Sequence, residues 1–108
     1  MTVIELSKIP DFSATYIADG DREIHGGYAG DLLSWVMGRA KEGDAWVTIM
    51  SNSNIVAVCT LADPACIVLS ENVQPDPETL KRAQEQGVNI LSTPLDTFEA
   101  CARIASLL

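Results

Sequence analysis

The strongest constraint on the fold is in the second half of the chain. Two short, mostly apolar runs, Ala65-Cys66-Ile67-Val68-Leu69 and Val88-Asn89-Ile90-Leu91, flank one amphipathic segment. A strand with no polar alternation is covered on both faces, which is the mark of a parallel sheet between helical layers. The segment between them has helix punctuation at both ends. Asp76 stands at a good N-cap position, Pro77 fits the first helical position, and Gly87 ends the helix Pro77 to Gln86. Thr93-Pro94-Leu95-Asp96 leads into a final helix carrying Phe98, Cys101, Ala102, Ile104 and Ala105. Strand, helix, strand, helix in this order implies right-handed parallel crossovers. The fold class expected is therefore α/β, a layered sheet flanked by helices. With 108 residues and no linker or low-complexity segment, one domain over 1–108 is expected.

The first half repeats the pattern less cleanly. Thr2 to Ile9 reads either as a strand or as a short helix, ended by Pro10. Ala14 to Ala18 is rich in strand formers, and Asp19-Gly20-Asp21 is a turn. Glu23-Ile24-His25 resumes an extended course, which Gly26-Gly27 interrupts. Leu32, Leu33, Val36, Met37 and Ala40 form one stripe of helical period and predict a helix from about Asp31 to Glu42. Asp31 suits its start, and Gly43 its C′ position. Ala45 to Met50 is a strand candidate with Trp46 in the core. Ile55 to Ala62 is β-branched at three places, so strand and helix both stay open. A cap by Asn54 and the stop at Asp63-Pro64 favour the helix.

Charge narrows the partners. Fifteen acids against seven bases give a formal charge of −8. Nucleic-acid and anionic-membrane surfaces need clustered Lys and Arg, so neither partner is expected. The longest apolar run, Ile55 to Cys59, is far short of a membrane span, and Met1 to Glu5 lacks the form of a signal peptide. The three cysteines, Cys59, Cys66 and Cys101, lie in apolar surroundings without metal-ligand spacing. Buried thiols in a reducing cytoplasm are expected, with no cofactor and no metal.

Two segments are candidates for binding chemistry. Gly26-Gly27-Tyr28-Ala29-Gly30-Asp31 is a glycine-rich entry into a helix, where backbone N–H groups can approach an anion. It matches neither phosphate-binding glycine motif, and a tight turn explains it as well. Met50-Ser51-Asn52-Ser53-Asn54 joins a strand to a helix, the place where open α/β sheets take ligands, or is an ordinary capped loop. The candidate ligand-binding residues are thus Gly26, Gly27, Tyr28, Asp31, Ser51, Asn52, Ser53 and Asn54. Arg22 and Arg39 are the nearest cations for an anionic ligand. His25, the only histidine, has no local nucleophile or acidic partner in a triad-like arrangement, so no catalytic residue is assigned. Trp35 lies off the stripe of its helix and is expected to be exposed. Asp19, Asp21 and Glu23 read as a solvated turn.

The stretches Gly26 to Ser34, Trp46 to Ile49, Asn54 to Val58 and Pro75 to Leu80 resemble the short stand-alone proteins of the DRTGG-domain family. Pro64 to Leu69, Pro75 to Ala83 and Gly87 to Thr93 are also similar to the N-terminal domain of HPr kinase/phosphorylase. The resemblance implies a non-catalytic α/β domain, a homodimer, and a regulatory role toward a partner enzyme. The sensed signal would be a small polar ligand such as an adenine nucleotide. The alternative it implies is a ligand-free accessory protein of an anaerobic redox or fermentative enzyme. A kinase activity is not implied, because the chain has no P-loop. One departure stands out. Relatives often carry a Thr-Gly-Gly-type turn after the strand corresponding to Cys66–Leu69, where this chain has Ser70-Glu71-Asn72-Val73.

Overall fold

The computed structural model describes residues 1–108. The chain opens with a short helix, α1 (Val3–Ser7), which settles the ambiguity of the first segment. Thr2 and Glu5 form a reciprocal capping box, so even five residues have their leading N–H groups satisfied. Strand β1 (Ser13–Tyr16) follows, then β2 (Gly26–Ala29), α2 (Leu33–Arg39), β3 (Asp44–Thr48) and α3 (Asn54–Ala62). The remainder is β4 (Cys66–Leu69), α4 (Pro77–Gln86), β5 (Ile90–Ser92) and α5 (Thr97–Leu107).

The five strands form one sheet in the order β1-β5-β4-β3-β2. β2 to β5 are parallel in register, and β1 pairs antiparallel with β5. Three successive crossovers step in one direction, so right-handedness places α2, α3 and α4 side by side on one face. α1 and α5 cover the other. Successive side chains alternate between the faces. Trp46, Ile67, Leu69 and Ile90 meet Val36, Val56 and Ala83 of the three-helix layer. Ala45, Val47, Cys66, Val68 and Leu91 meet Val3, Leu6, Ala100 and Ile104. The strands flagged by their apolar runs are the central, doubly covered ones. α4 and its Gly87 terminus (φ 70°) also fall where the punctuation puts them.

Several boundaries differ. Gly26-Gly27 does not interrupt the extended course but opens β2, paired with Asp44 and Ala45. The glycines suit this close pairing, since a Cβ on Gly26 would sit 3.0 Å from the Asp44 carboxylate. The helix expected from Asp31 to Glu42 is only Leu33–Arg39, and Asp31 does not cap it. Its carboxylate accepts hydrogen bonds from the Thr48 hydroxyl (2.7 Å) and the Ile49 amide (3.0 Å) instead. Of the expected stripe, Val36 is buried, whereas Leu32 and Met37 are exposed. At the far end Ala40 is already extended, and Asp44 accepts from the Lys41 amide at 2.7 Å, which pulls the chain out of the helix early. Gly43 (φ 83°) turns the chain into β3 rather than ending α2. Ile55 to Ala62 is helical. Asn54 is its first residue and not its cap, because Asn52 Oδ1 takes the Asn54 N–H at 3.0 Å.

Candidate functional site

The carboxyl ends of β2, β3, β4 and β5 lie along one edge of the sheet, where a parallel α/β fold presents its loops. A hydrogen-bonded belt runs along this edge. Asp31, after β2, accepts from Thr48 at the end of β3. The Thr48 carbonyl accepts from the Ser70 amide beyond β4 at 3.2 Å. The Ser70 hydroxyl pairs with that of Thr97, 2.7 Å away, at the start of α5. The Thr97 amide donates to the Glu71 carboxylate at 2.9 Å. Thr48 and Ser70 are buried, while Asp31 and Glu71 stand exposed at the two ends of the belt.

The Ser51–Asn54 loop lies beside Asp31 because both follow adjacent strands. α4 anchors it: the Ser51 carbonyl accepts from the Thr79 hydroxyl (2.7 Å) and the Asp76 amide (3.0 Å). The first amides of α3 are used within the loop, by Asn52 Oδ1, by the Asn52 carbonyl and by the Ser53 carbonyl. What the loop offers a ligand is therefore its side chains, the hydroxyls of Ser51 and Ser53 and the amides of Asn52 and Asn54, more than a free helix N-terminus.

Of the residues singled out from sequence, the structure thus brings together Asp31, Ser51, Asn52, Ser53 and Asn54. Gly26 and Gly27 open β2 at the other end of the strand, and Tyr28 packs partly buried against the three-helix layer. His25 also lies at the amino end, its amide bonded to the Gly43 carbonyl, with the whole of β2 between it and Asp31. Arg22 is at that end as well, held by the side chain of Asp63 (2.8 Å) and its carbonyl (2.7 Å), which raises the affinity of its guanidinium for its proton. Arg39 stacks on Trp35, 3.7 Å from the ring centroid, and Trp35 is exposed as its helical position predicts. No group of three or more His, Cys, Asp or Glu side chains is arranged to hold a metal ion.

Of the belt residues, Thr48 and Thr97 are not candidates in the sequence reading, and Ser70 enters it only within the departure Ser70-Glu71-Asn72-Val73. A signal exists, however: each buried strand run is followed directly by a hydroxyl residue, Val47-Thr48, Leu69-Ser70 and Leu91-Ser92-Thr93. Such a residue can stay buried at a strand end by bonding the neighbouring loop. The turn after β4 is equally informative. Glu71 (φ 58°) and Asn72 (φ 60°) are both left-handed, the conformation a glycine pair adopts without strain. The turn keeps a glycine-type backbone although both residues carry side chains.

A small cleft of about 360 Å³ lies at the opposite end of β4 and β5, lined by Asp19, Arg22, Thr60, Asp63, Gln86 and Asn89 among others. Apart from exposed Gln86, its polar side chains are engaged internally. Arg22 pairs with Asp63, and all four hydrogen-bonding positions of Asn89 are filled by the backbone of Ala18, Asp19 and Ala65.

Comparison with known proteins decides the family. The profile of the DRTGG domain matches residues 28–107. The chain belongs to the DRTGG-domain family. Among solved structures, the DRTGG-domain chain is similar to the CBS and DRTGG domains of the regulatory region of Clostridium perfringens pyrophosphatase, complexed with the activator diadenosine tetraphosphate. The TM-score is 0.62 at 16% identity, over 85% of this chain and 40% of that one. The likeness confirms the α/β sheet flanked by helices. The chain spans well under half the length of that neighbour. Comparison with curated proteins gives no match.

Proposed function

We propose that this DRTGG domain is a regulatory, non-catalytic module. It works as a homodimer, reads a small polar ligand and acts on a partner enzyme. One observation carries the reading: the chain belongs to a family whose domain forms part of the regulatory region of a pyrophosphatase, crystallised with a nucleotide activator. That likeness makes an adenine nucleotide the first ligand to test. The similarity to the N-terminal domain of HPr kinase/phosphorylase points the same way, to an α/β unit without catalytic groups.

The residues that would take the ligand are Asp31 and the Ser51–Asn54 loop. Amide and hydroxyl groups on that loop suit the hydrogen-bonding edge of a base or a ribose. The same end of the sheet carries the carboxylates of Asp31 and Glu71, so the phosphates of a nucleotide would lie outward, away from the belt. Gly26 and Gly27 open β2 at its other end, so the proposed contacts leave them out.

Isothermal titration against AMP, ADP, ATP and diadenosine tetraphosphate tests the reading. The expected result is a sub-millimolar complex that weakens about tenfold, or about 1.4 kcal/mol, in Ser51→Ala or Asn54→Ala. Absence of heat for every nucleotide at millimolar concentration overturns it. In that case a ligand-free accessory role is the better reading, favoured by the exposed Leu32, Trp35, Ile49 and Phe98.

A further inference from the structure

We propose that a second copy of the chain docks on the free edge of β2 and the adjoining flank of α5. The proposal deepens the homodimeric reading above by assigning its face. β2 is the terminal strand of the sheet, so one side of its backbone has no partner strand. Exposed edges are normally guarded by charge, proline, a bulge or the shortness of the strand. β1, at the other edge, has an irregular register between Ala14 and Tyr16. β2, Gly-Gly-Tyr-Ala, is short but regularly paired and carries no charge, proline or bulge.

Beside this edge runs an apolar groove of about 260 Å³ between β2 and α5, with Ala29, Val47, Cys101, Ile104, Ala105 and Leu108 on its walls. The helix flank that forms one wall extends outward. Phe98, Cys101, Ala102 and Ala105 fall within about 100° of arc at 100° per residue, none has a charged side chain, and Leu108 follows directly after the helix. Phe98 is 80% exposed and Leu108 52%. Arg103 points elsewhere, to Pro10 and Asp11.

Charge selects the occupant. The chain carries −8, so two copies repel wherever acidic surface meets acidic surface. A two-fold contact sets the same patch against itself, so like charges in the patch oppose one another. The β2 edge and the α5 flank form a strip without charged side chains on an acidic molecule. A partner recognised by its basic groups would find no side-chain carboxylate on this strip. A second copy meets no repulsion there. Antiparallel pairing of the two β2 edges would extend the sheet across the two-fold axis, with each apolar flank covered by its counterpart.

Sedimentation equilibrium with hydrogen exchange is the test. Ala105→Glu and Leu108→Asp introduce charge at exposed positions without touching the core. Ala57→Glu, on exposed α3 surface, is the control. The wild-type protein is expected to dimerise at about 100 μM or below, with Ala105→Glu and Leu108→Asp raising the dissociation constant at least about tenfold and the control leaving it unchanged. The His25 amide donates to the Gly43 carbonyl on the β3 side, so by strand alternation the amides of Gly26 and Tyr28 face the free edge; their exchange should slow as wild-type concentration rises and stay fast in both variants. A wild-type chain that is monomeric at about 1 mM overturns the proposal. So does a dimer indifferent to both variants, since its contact would lie on another face. Failure here is distinct from failure of the ligand reading, because nucleotide titration of Ala105→Glu reports on the Asp31 and Ser51–Asn54 loops alone.

Discussion

Asn89 shows how much of the amino end of the sheet rests on one side chain. It is 4% exposed, and its Oδ1 accepts from the amides of Ala18 (2.7 Å) and Asp19 (2.8 Å). Its Nδ2 donates to the carbonyls of Asp19 (2.8 Å) and Ala65 (3.0 Å). It thus joins the turn after β1 to the start of β4. Asn89→Ala strands these backbone groups and is expected to cost about 3 kcal/mol in urea unfolding. Asn89→Asp keeps the shape but replaces the donor with an acceptor facing two carbonyls, so it should destabilise by a similar amount. Equal stability of wild type and Asn89→Asp would show the donor half of the network to be idle. Two glycines give a matched contrast. Both Gly43 and Gly87 are left-handed, but a Cβ on Gly43 would lie 2.5 Å from His25 Cδ2, whereas one on Gly87 meets nothing within 4 Å. Gly87→Ala should cost about 1 kcal/mol, from backbone strain alone, and Gly43→Ala clearly more. In a double-mutant cycle, His25→Ala should recover the excess and leave the backbone share.

At the scale of elements, legibility followed sequence separation. α4 was readable because Asp76, Pro77 and Gly87 mark both ends within one local stretch. β4 was readable because a run of apolar residues has few other uses. α2 was misjudged because Asp31, a good cap by type, is taken by Thr48 and Ile49, more than fifteen residues away. β2 was misjudged because Gly-Gly has low strand propensity, and its pairing with Asp44 and Ala45 is a tertiary fact. The candidate site divided in the same way. The Ser51–Asn54 loop was legible from its place after a strand, while the buried hydroxyl belt depends on partners that only the sheet order brings together. The β4–α4 turn yields an element-level prediction. Asn72 pays left-handed strain with no side-chain hydrogen bond in return, so Asn72→Gly should be neutral to stabilising by about 0.5–1 kcal/mol. Glu71 is equally left-handed, but its carboxylate caps α5 through the Thr97 amide. Glu71→Gly exchanges relief of strain for a lost cap and should be less favourable than Asn72→Gly in thermal unfolding.

At the scale of the whole molecule, the three thiols report on both the core and the proposed dimer face. Burial pushes Cys59 and Cys66 up to about 12, and raises half-buried Cys101 less. At pH 8 a thiol of that kind is thiolate in about one molecule in ten thousand, so neither core cysteine should react with a disulfide reagent while the chain is folded. Unfolding should release these two thiols as newly reactive groups, beside the partly exposed Cys101. The same shifts couple stability to alkaline pH, and the sign follows from which state holds the protons. Between about pH 9 and pH 12 the unfolded chain loses the two protons that the folded core retains, so stability falls as pH rises. Each thiol contributes a slope of about 1.4 kcal/mol per pH unit in that window, and Cys66→Ala should remove one share of it. Below pH 8 neither thiol contributes a slope. Cys101 behaves differently because it lines the groove between β2 and α5. If two copies close over that groove, its labelling rate must fall as protein concentration rises, and Ala105→Glu must restore the dilute rate. A Cys101 rate independent of concentration, in a protein that sediments as a dimer, would place the contact elsewhere on the molecule.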